Sequence, residues 1–321
     1  MTAVDARGVA VPASGRLGEH TAPPSGDAPS REDRRPGGSR SWDAPSGGRR
    51  LGRYLLLGLV AVVVSFPIYT TVLAAISPSD RVLDGSLLPR AFTFEPLRDA
   101  WNEGRLGRYL FNSTVVATVV TAFQISTSLL SGYAFAHLRF PARNVIFVAF
   151  LATLLVPFEA TVVVNIRTVE SLGEWSSIFG GINSIQALAL PFLATAVGTF
   201  LVRQALLTLP GELRDAARID GLGHAGYLRH VALPLVRPTL GALGLFAFLS
   251  TWNQYLWPRQ IITDDDQHTV QSGLRLLGES TFNRPNLVMA GTVIAAIPIM
   301  VVLIVFQRQL VRGLTAGAVK G

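Results

Sequence analysis

Six apolar runs, each near the ~20 residues that a helix needs to cross a bilayer, constrain this chain more than any other feature. They extend from about Tyr54 to Ile76, Tyr109 to Phe135, Val145 to Val164, Ile185 to Leu206, Thr239 to Trp257 and Leu287 to Phe306. Periodicity alone does not separate a buried soluble helix from a membrane span, but length and sixfold repetition do. Composition agrees: 49% of residues are hydrophobic and 15% charged, whereas a soluble domain carries about a quarter charged. The expected fold is therefore all-α, a polytopic membrane protein with six transmembrane helices. In the second and fourth runs Ser, Thr, Gly and Pro interrupt the aliphatics, which suits helices packed on neighbours better than helices facing lipid.

Residues 1–50 stand apart. The stretch RPGGSRSWDAPSGGRR is rich in Gly, Pro, Ser and Arg and buries too little to offset chain entropy. A disordered cytoplasmic tail is expected there, followed by a transmembrane domain over 51–321. No short apolar core lies close to Met1, so the segment does not read as a signal peptide. A docking or lipid-binding arm is the alternative. With the N-terminus inside, the inner segments hold 19 of the 28 Lys and Arg, against 9 in the outer ones. Basic residues favour the cytoplasmic side, so both termini are expected inside. The net charge of +7 reflects that asymmetry, and nucleic acid is not an expected partner; membrane lipid is.

Chemistry is hard to find in the chain. There is no cysteine and the only lysine is Lys320, so neither a thiolate nucleophile nor a GxxxxGK[ST] phosphate loop is available. The five histidines are scattered, and His224 and His230 are poorly spaced for one helix face. Asp264, Asp265 and Asp266 could hold a hard cation, but such a triplet reads first as solvated loop. Glu159 is the one acidic residue inside an expected span, which leaves paired-carboxylate catalysis without a partner at that depth. No catalytic and no metal-binding residue is assigned.

The most informative stretch is the loop between runs four and five, LPGELRDAARIDGLGHAGYLRHVALPLVRP, Leu209 to Pro238. Pro210 suits a helix start, and Glu212 and Asp215 suit the positive end of its dipole. Leu213, Ala216, Ala217 and Ile219 form a small apolar face, and Asp220–Gly221 is a break. A second short helix is expected from about His224 to Ala232, ending at Leu233–Pro234. Such a helix–turn–helix either docks a partner or lies on the lipid surface as an amphipathic connector.

Asp215-Ala216-Ala217-x-x-Asp220-Gly221 followed by Val231-x-Leu233-Pro234 resembles the EAA loop of ABC importer permeases, and in particular the carbohydrate-uptake class that includes maltose and glycerol-3-phosphate permeases. Arg139-Phe140-Pro141, the run Thr251 to Pro258, and the ending Arg312 to Gly321 fit the same class in the same order. The likeness covers about 54–321. It departs where the motif's glutamate is Asp215 and where Leu222 replaces the usual alanine. The resemblance implies a type I permease fold that pairs with a second permease subunit. It further implies an ABC ATPase dimer that binds ATP and Mg, while this chain binds no cofactor, and an extracytoplasmic binding protein that delivers the solute. Glu212, Asp215, Ala216, Ala217, Asp220, Gly221, Leu233 and Pro234 would then couple to the ATPase. Thr315, Gly317 and Lys320 would reach it from the C-terminus, where a frayed end is the plainer reading.

A sugar-like solute needs hydrogen-bonding groups and aromatic faces along an aqueous path. Glu159, Asn165, Trp252, Asn253, Gln254 and Tyr255 are the candidates, against a reading of helix packing and interfacial anchoring. The Trp-Asn-Gln-Tyr-Leu-Trp-Pro run is similar to glycerol-3-phosphate permeases, so glycerol-3-phosphate or glycerophosphodiester uptake stands beside neutral sugar. An ATP-independent carrier or channel remains the alternative from another class.

Overall fold

A computed structural model describes residues 47–78, 88, 91–281 and 283–316, with side chains between 51 and 307 of these. The chain divides into two units, 1–60 and 61–321. The expected tail of residues 1–50 lies almost wholly outside the described residues. In order, the helices are α1 (Gly47–Ala75), α2 (Glu95–Glu103), α3 (Leu106–His137), α4 (Arg143–Ala152), α5 (Phe158–Trp175), α6 (Ile185–Ala189) and α7 (Ala196–Leu207). They continue as α8 (Gly211–Ile219), α9 (His224–Tyr227), α10 (Leu233–Trp252), α11 (Leu256–Ile261), α12 (Val270–Ser280) and α13 (Pro285–Ala316). Among the described residues there is no strand.

Four stretches are long and apolar enough to cross a membrane unbroken: Leu51–Ala75, Leu106–His137, His224–Trp252 and Pro285–Gln307. Two bent pairs bring the total to six if each pair makes one crossing. Val62, Val63, Val64, Phe66, Ile68 and Val72 of α1 are all exposed, as expected of a helix wetted by lipid or by another membrane helix.

The third run, expected as one span, is broken. Arg143–Leu155 and Phe158–Trp175 meet at 103°. Val156 and Pro157 both take extended backbone, because proline offers no N–H to the preceding turn and pushes the residue before it out of the helical region. Glu159 therefore lies not within a continuous span but in the first turn of α5, exposed. The fourth run is also a pair, Ile185–Phe192 and Ala196–Leu207, bent by 49° with Thr195 extended.

Polar side chains of α3 make the second break tolerable. Gln124 Nε2 donates to the Phe192 carbonyl at 2.7 Å, and Thr127 Oγ1 donates to that of Leu193 at 3.1 Å. Backbone freed at membrane depth must be satisfied by protein. Small residues draw α3 and α7 together: Ser131 and Thr199 hydroxyls meet at 2.7 Å. A Cβ on Gly132 would come within 3.0 Å of Val202 Cβ and of the Arg203 backbone nitrogen. The Ser, Thr and Gly content of runs two and four is thus the packing surface between them.

The fifth crossing differs at both ends from the expected one. The helix from His224 does not stop at Leu233–Pro234. It widens into a π-turn over Leu228–Ala232 and continues as α10. Pro234 has no N–H for the carbonyl of His230, and the wide turn lies immediately before it. At the other end the helix stops at Trp252 rather than Trp257. Asn253 Nδ2 there bonds the Leu249 carbonyl at 2.8 Å, a local bond that competes with helix continuation.

Three buried clusters form the core, and α3 contributes to all of them. Tyr109 and Ala117 join α12, α13 and Trp252; Val116 and Val120 join α6 and α11; Tyr133 joins α7, α8 and α10. The first turns of α3 are densely tied to the α11–α12 connection. Buried Asn112 gives its Nδ2 to the carbonyls of Asp266 and His268, at 2.9 and 3.0 Å. Ser113 Oγ accepts the Val270 N–H at 2.8 Å, and Arg105 pairs with Asp266 at 3.0 Å. Asn183 binds the Thr263 and Asp264 amides through Oδ1 at 2.6 and 3.0 Å. The acidic triplet thus serves the local turn, where Asp264 caps the Asp266 amide. Burial lowers the His268 pKa below the ordinary 6.5, with Asp265 and Asp264 opposing it. Arg284 bridges Asp99 and Glu103, and the bond to Asp99 leads in raising its pKa.

Candidate functional site

Helix α8 is where the sequence and the fold converge. Pro210 precedes it in extended backbone, Glu212 sits in its first turn and Arg218 in its last, charges placed favourably on the helix dipole. The end is a Schellman turn. The Leu222 N–H bonds the Ala217 carbonyl at 2.8 Å and the Gly221 N–H bonds that of Arg218 at 3.0 Å. Gly221 has φ +78° with open space where a Cβ would be, so backbone conformation rather than crowding calls for glycine.

The apolar residues of α8 do not share one face. Ala217 is buried in the cluster of Val202, Leu206, Tyr227 and Val236, whereas Ile219 is 87% exposed. Glu212, Asp215, Ala216 and Asp220 are exposed as well. The Asp215–Arg218 pair is loose, at 3.8 Å. Leu233 is partly buried behind α8 and Pro234 is exposed.

Aromatic residues clamp this hairpin to the end of α3. Tyr133 OH bonds His224 Nδ1 at 2.9 Å, and its ring lies 5.1 Å from that of His137. The His137 ring is 5.8 Å from Tyr227, and Arg214 Nη1 stands 3.4 Å from His137 Nδ1. Arg203 lies over the Phe147 ring at 4.3 Å and gives its Nε to the Phe135 carbonyl. The exposed helix is thereby tied to the end of α3.

The residues considered for a solute path separate. Trp252 is buried in the first core cluster, stacked on Phe248. Asn253 is exposed, Gln254 and Tyr255 are half-buried, and Gln271 Nε2 reaches Asn253 Oδ1 at 3.5 Å. Arg259 donates to Tyr255 OH at 3.0 Å, and the Arg275 guanidinium lies 5.9 Å from the same ring. On α5, Asn165 bonds Thr161 at 3.3 Å. Among the described residues no hydrogen bond joins Glu159 or Asn165 to 252–255; the two groups approach through the Phe158–Trp257 ring contact.

Sequence reasoning missed the arginines around Tyr255. It also missed a cavity of about 500 Å³ lined by Val119, Asn183, Gln186 and Gln267 among others. The i, i+4 spacing of Tyr255 and Arg259 was the available signal. Gly317 and Lys320 lie outside the described residues, as does the side chain of Thr315.

Four to six candidate membrane crossings, with α8 seated against the end of α3, define a multi-pass helical membrane protein. The chain belongs to the family of binding-protein-dependent transport system inner membrane components, which matches residues 124–316. It is a permease subunit of an ABC importer rather than an enzyme. It is 35% identical to the sn-glycerol-3-phosphate transport system permease protein UgpE of Yersinia pestis bv. Antiqua, over 81% of this chain and 94% of that protein. The protein of the same name from Shigella flexneri serotype 5b is 36% identical over 81% and 93%. A crystal structure of a bacterial ABC transporter involved in import of the acidic polysaccharide alginate contains a chain of the same fold. That chain has TM-score 0.68 and 21% identity, with 82% of this chain and 97% of that chain covered. A second alginate transporter structure, in complex with a pentasaccharide-bound periplasmic protein, gives 0.60 at 11% identity, over 80% and 92%.

Proposed function

We propose that this subunit pairs with a second permease, takes a sugar-like solute from an extracytoplasmic binding protein, and is driven through α8 by an ABC ATPase dimer. ATP and Mg belong to that ATPase, and this chain contributes no cofactor site. We assign both termini, and α8 with them, to the cytoplasm, and take Thr315, Gly317 and Lys320 as the expected C-terminal contacts to the ATPase. The build of α8 carries this reading: a charged, exposed helix, locked by Gly221 and seated on Tyr133, Tyr227 and His137. ATPase closure on the helix tilts the crossings as rigid bodies between inward-open and outward-open states.

Co-purification in mild detergent should recover a second permease, an ATPase and a binding protein. Asp215→Lys should leave insertion intact yet lower solute-stimulated ATP hydrolysis at least about tenfold, since like charge at a docked carboxylate costs several kcal/mol. Normal coupling in that variant would remove α8 from the role.

For the solute, Arg259 beside Tyr255 favours a phosphate-bearing polyol over a neutral sugar, in keeping with relatives named for sn-glycerol-3-phosphate. Arginine suits phosphate through charge-assisted, two-pronged bonds. Arg259→Gln should lower uptake of glycerol-3-phosphate into ATPase-containing proteoliposomes about tenfold. Uptake of a neutral disaccharide such as maltose in place of it would favour the sugar reading. Glu159→Ala should alter uptake more than assembly if α5 lines the path.

A further inference from the structure

Beside α8 lies a cleft of about 560 Å³ lined by His137, Leu138, Arg139, Phe140, Arg214, Arg218 and His224. Its walls come from three places: the end of α3 and the turn after it, α8, and the start of α9. Three guanidiniums and two imidazoles face one space, and no carboxylate lines it. Arg218 has only the loose, exposed contact to Asp215, and Arg139 has no ion pair or hydrogen bond among the described residues. Arg214 Nε and His137 Nε2 are buried and lack a hydrogen-bond partner. Buried donors without acceptors are costly, and so are like charges gathered at one site. The cost of gathered like charge falls when a multivalent oxyanion enters. A second cavity, of about 410 Å³, shares Arg139 and Phe140 and adds Arg143 and Asn144 at the start of α4.

We propose that this cleft binds a phosphoryl group, held by Arg139, Arg214 and Arg218 with an imidazole N–H from His224. Guanidinium forks match phosphate oxygens in geometry as well as charge. The site is separate from the solute path and does not depend on which solute crosses. A bound phosphoryl group would join α8 to α3 and to the α3–α4 turn. Its source is either a free phosphate compound or the headgroup of an anionic phospholipid, and the two are separable.

The full chain, purified in nanodiscs of phosphatidylcholine, is melted by tryptophan fluorescence with increasing inorganic phosphate, against chloride at matched ionic strength. In parallel, native mass spectrometry compares retention of phosphatidylglycerol and phosphatidylcholine. A site for free phosphate gives a saturable rise in melting temperature; a headgroup site gives selective retention of phosphatidylglycerol. In either case Arg214→Gln and Arg139→Gln should weaken binding about tenfold each, whereas Arg237→Gln, outside the cleft, should not. Arg139 is exposed, so its variant tests the site even where Arg214→Gln fails to fold. Absence of saturable binding in both arms, or binding unchanged in the Arg139 and Arg214 variants, overturns the proposal.

Discussion

The two ends of α3 solve opposite problems. At its start, Asn112, Ser113 and Arg105 are matched to acceptors and donors in the 263–270 segment, and neighbouring Arg284 spans two carboxylates. At its finish, Arg139, Arg214 and Arg218 meet no buried acid, and Ile219 is presented to the outside. One end is satisfied within the chain, so its loops hold each other in place. The other leaves charge and apolar surface for something else to complete. Where a polar cluster closes on itself it sets shape; where it stays open it marks a surface meant for contact.

Breaking the closed end should have the largest effect. Asn112→Leu strands the buried His268 carbonyl, while that of Asp266 keeps the Arg108 Nε bond, and should cost about 2–3 kcal/mol, the upper part of the range for one unmet buried group. Thermal melting of the purified chain reads this, and a loss under about 0.5 kcal/mol, typical of a surface change, would erase the contrast. Next comes the turn that ends α8. Gly221→Ala meets no steric barrier but forces a side chain into left-handed backbone, at about 1–2 kcal/mol, lost from α8 rather than from the α12 end. Hydrogen exchange on residues 211–222 should report it.

Acidity offers a subtler test of the same asymmetry. His268 is buried and its pKa lies below the 6.5 of the free side chain. The unfolded chain therefore takes up the proton first, and stability falls as pH drops through 6.5 toward the lower folded value. Melting temperatures between pH 7.5 and 5.5 should decline, and His268→Gln should flatten that slope; an identical profile in the variant would sink the assignment. The smallest effect belongs to Arg284→Gln. Its ion pairs are more than a third exposed on the arginine side, so solvent screening holds the loss below about 1 kcal/mol and salt should reduce it further.

Much of this architecture was legible in the chain. The six apolar runs, the helix from Pro210, and the stop at Asp220–Gly221 follow from local composition and backbone preference. What was not legible depends on partners far along the sequence. Pro157 announces a break, but the 103° bend depends on how α5 packs. The fourth run breaks where Gln124 and Thr127, about seventy positions earlier, can receive its carbonyls. Pro234 reads as a helix stop, yet a π-turn before it lets the helix continue. Ile219 belongs to the apolar pattern of α8 by spacing, but the core accepts Ala217 and leaves Ile219 outside. The basic cleft was invisible because Arg139, Arg214 and His224 come from separate segments, each ordinary by itself.

The 32 residues of α3 make a rod about 48 Å long at 1.5 Å per residue, fixed to α8 and α9 at one tip and to the 263–270 segment at the other. Such a rod is a lever. At that rise per residue, a tilt of about 5° carries one tip roughly 4 Å relative to the other. The carbonyl anchors at Gln124 and Thr127 lie near its middle, where displacement is least. The kinked fourth run is bonded there and again at Ser131 and Phe135, so α7 travels with the α8 tip while the segment at its kink moves least.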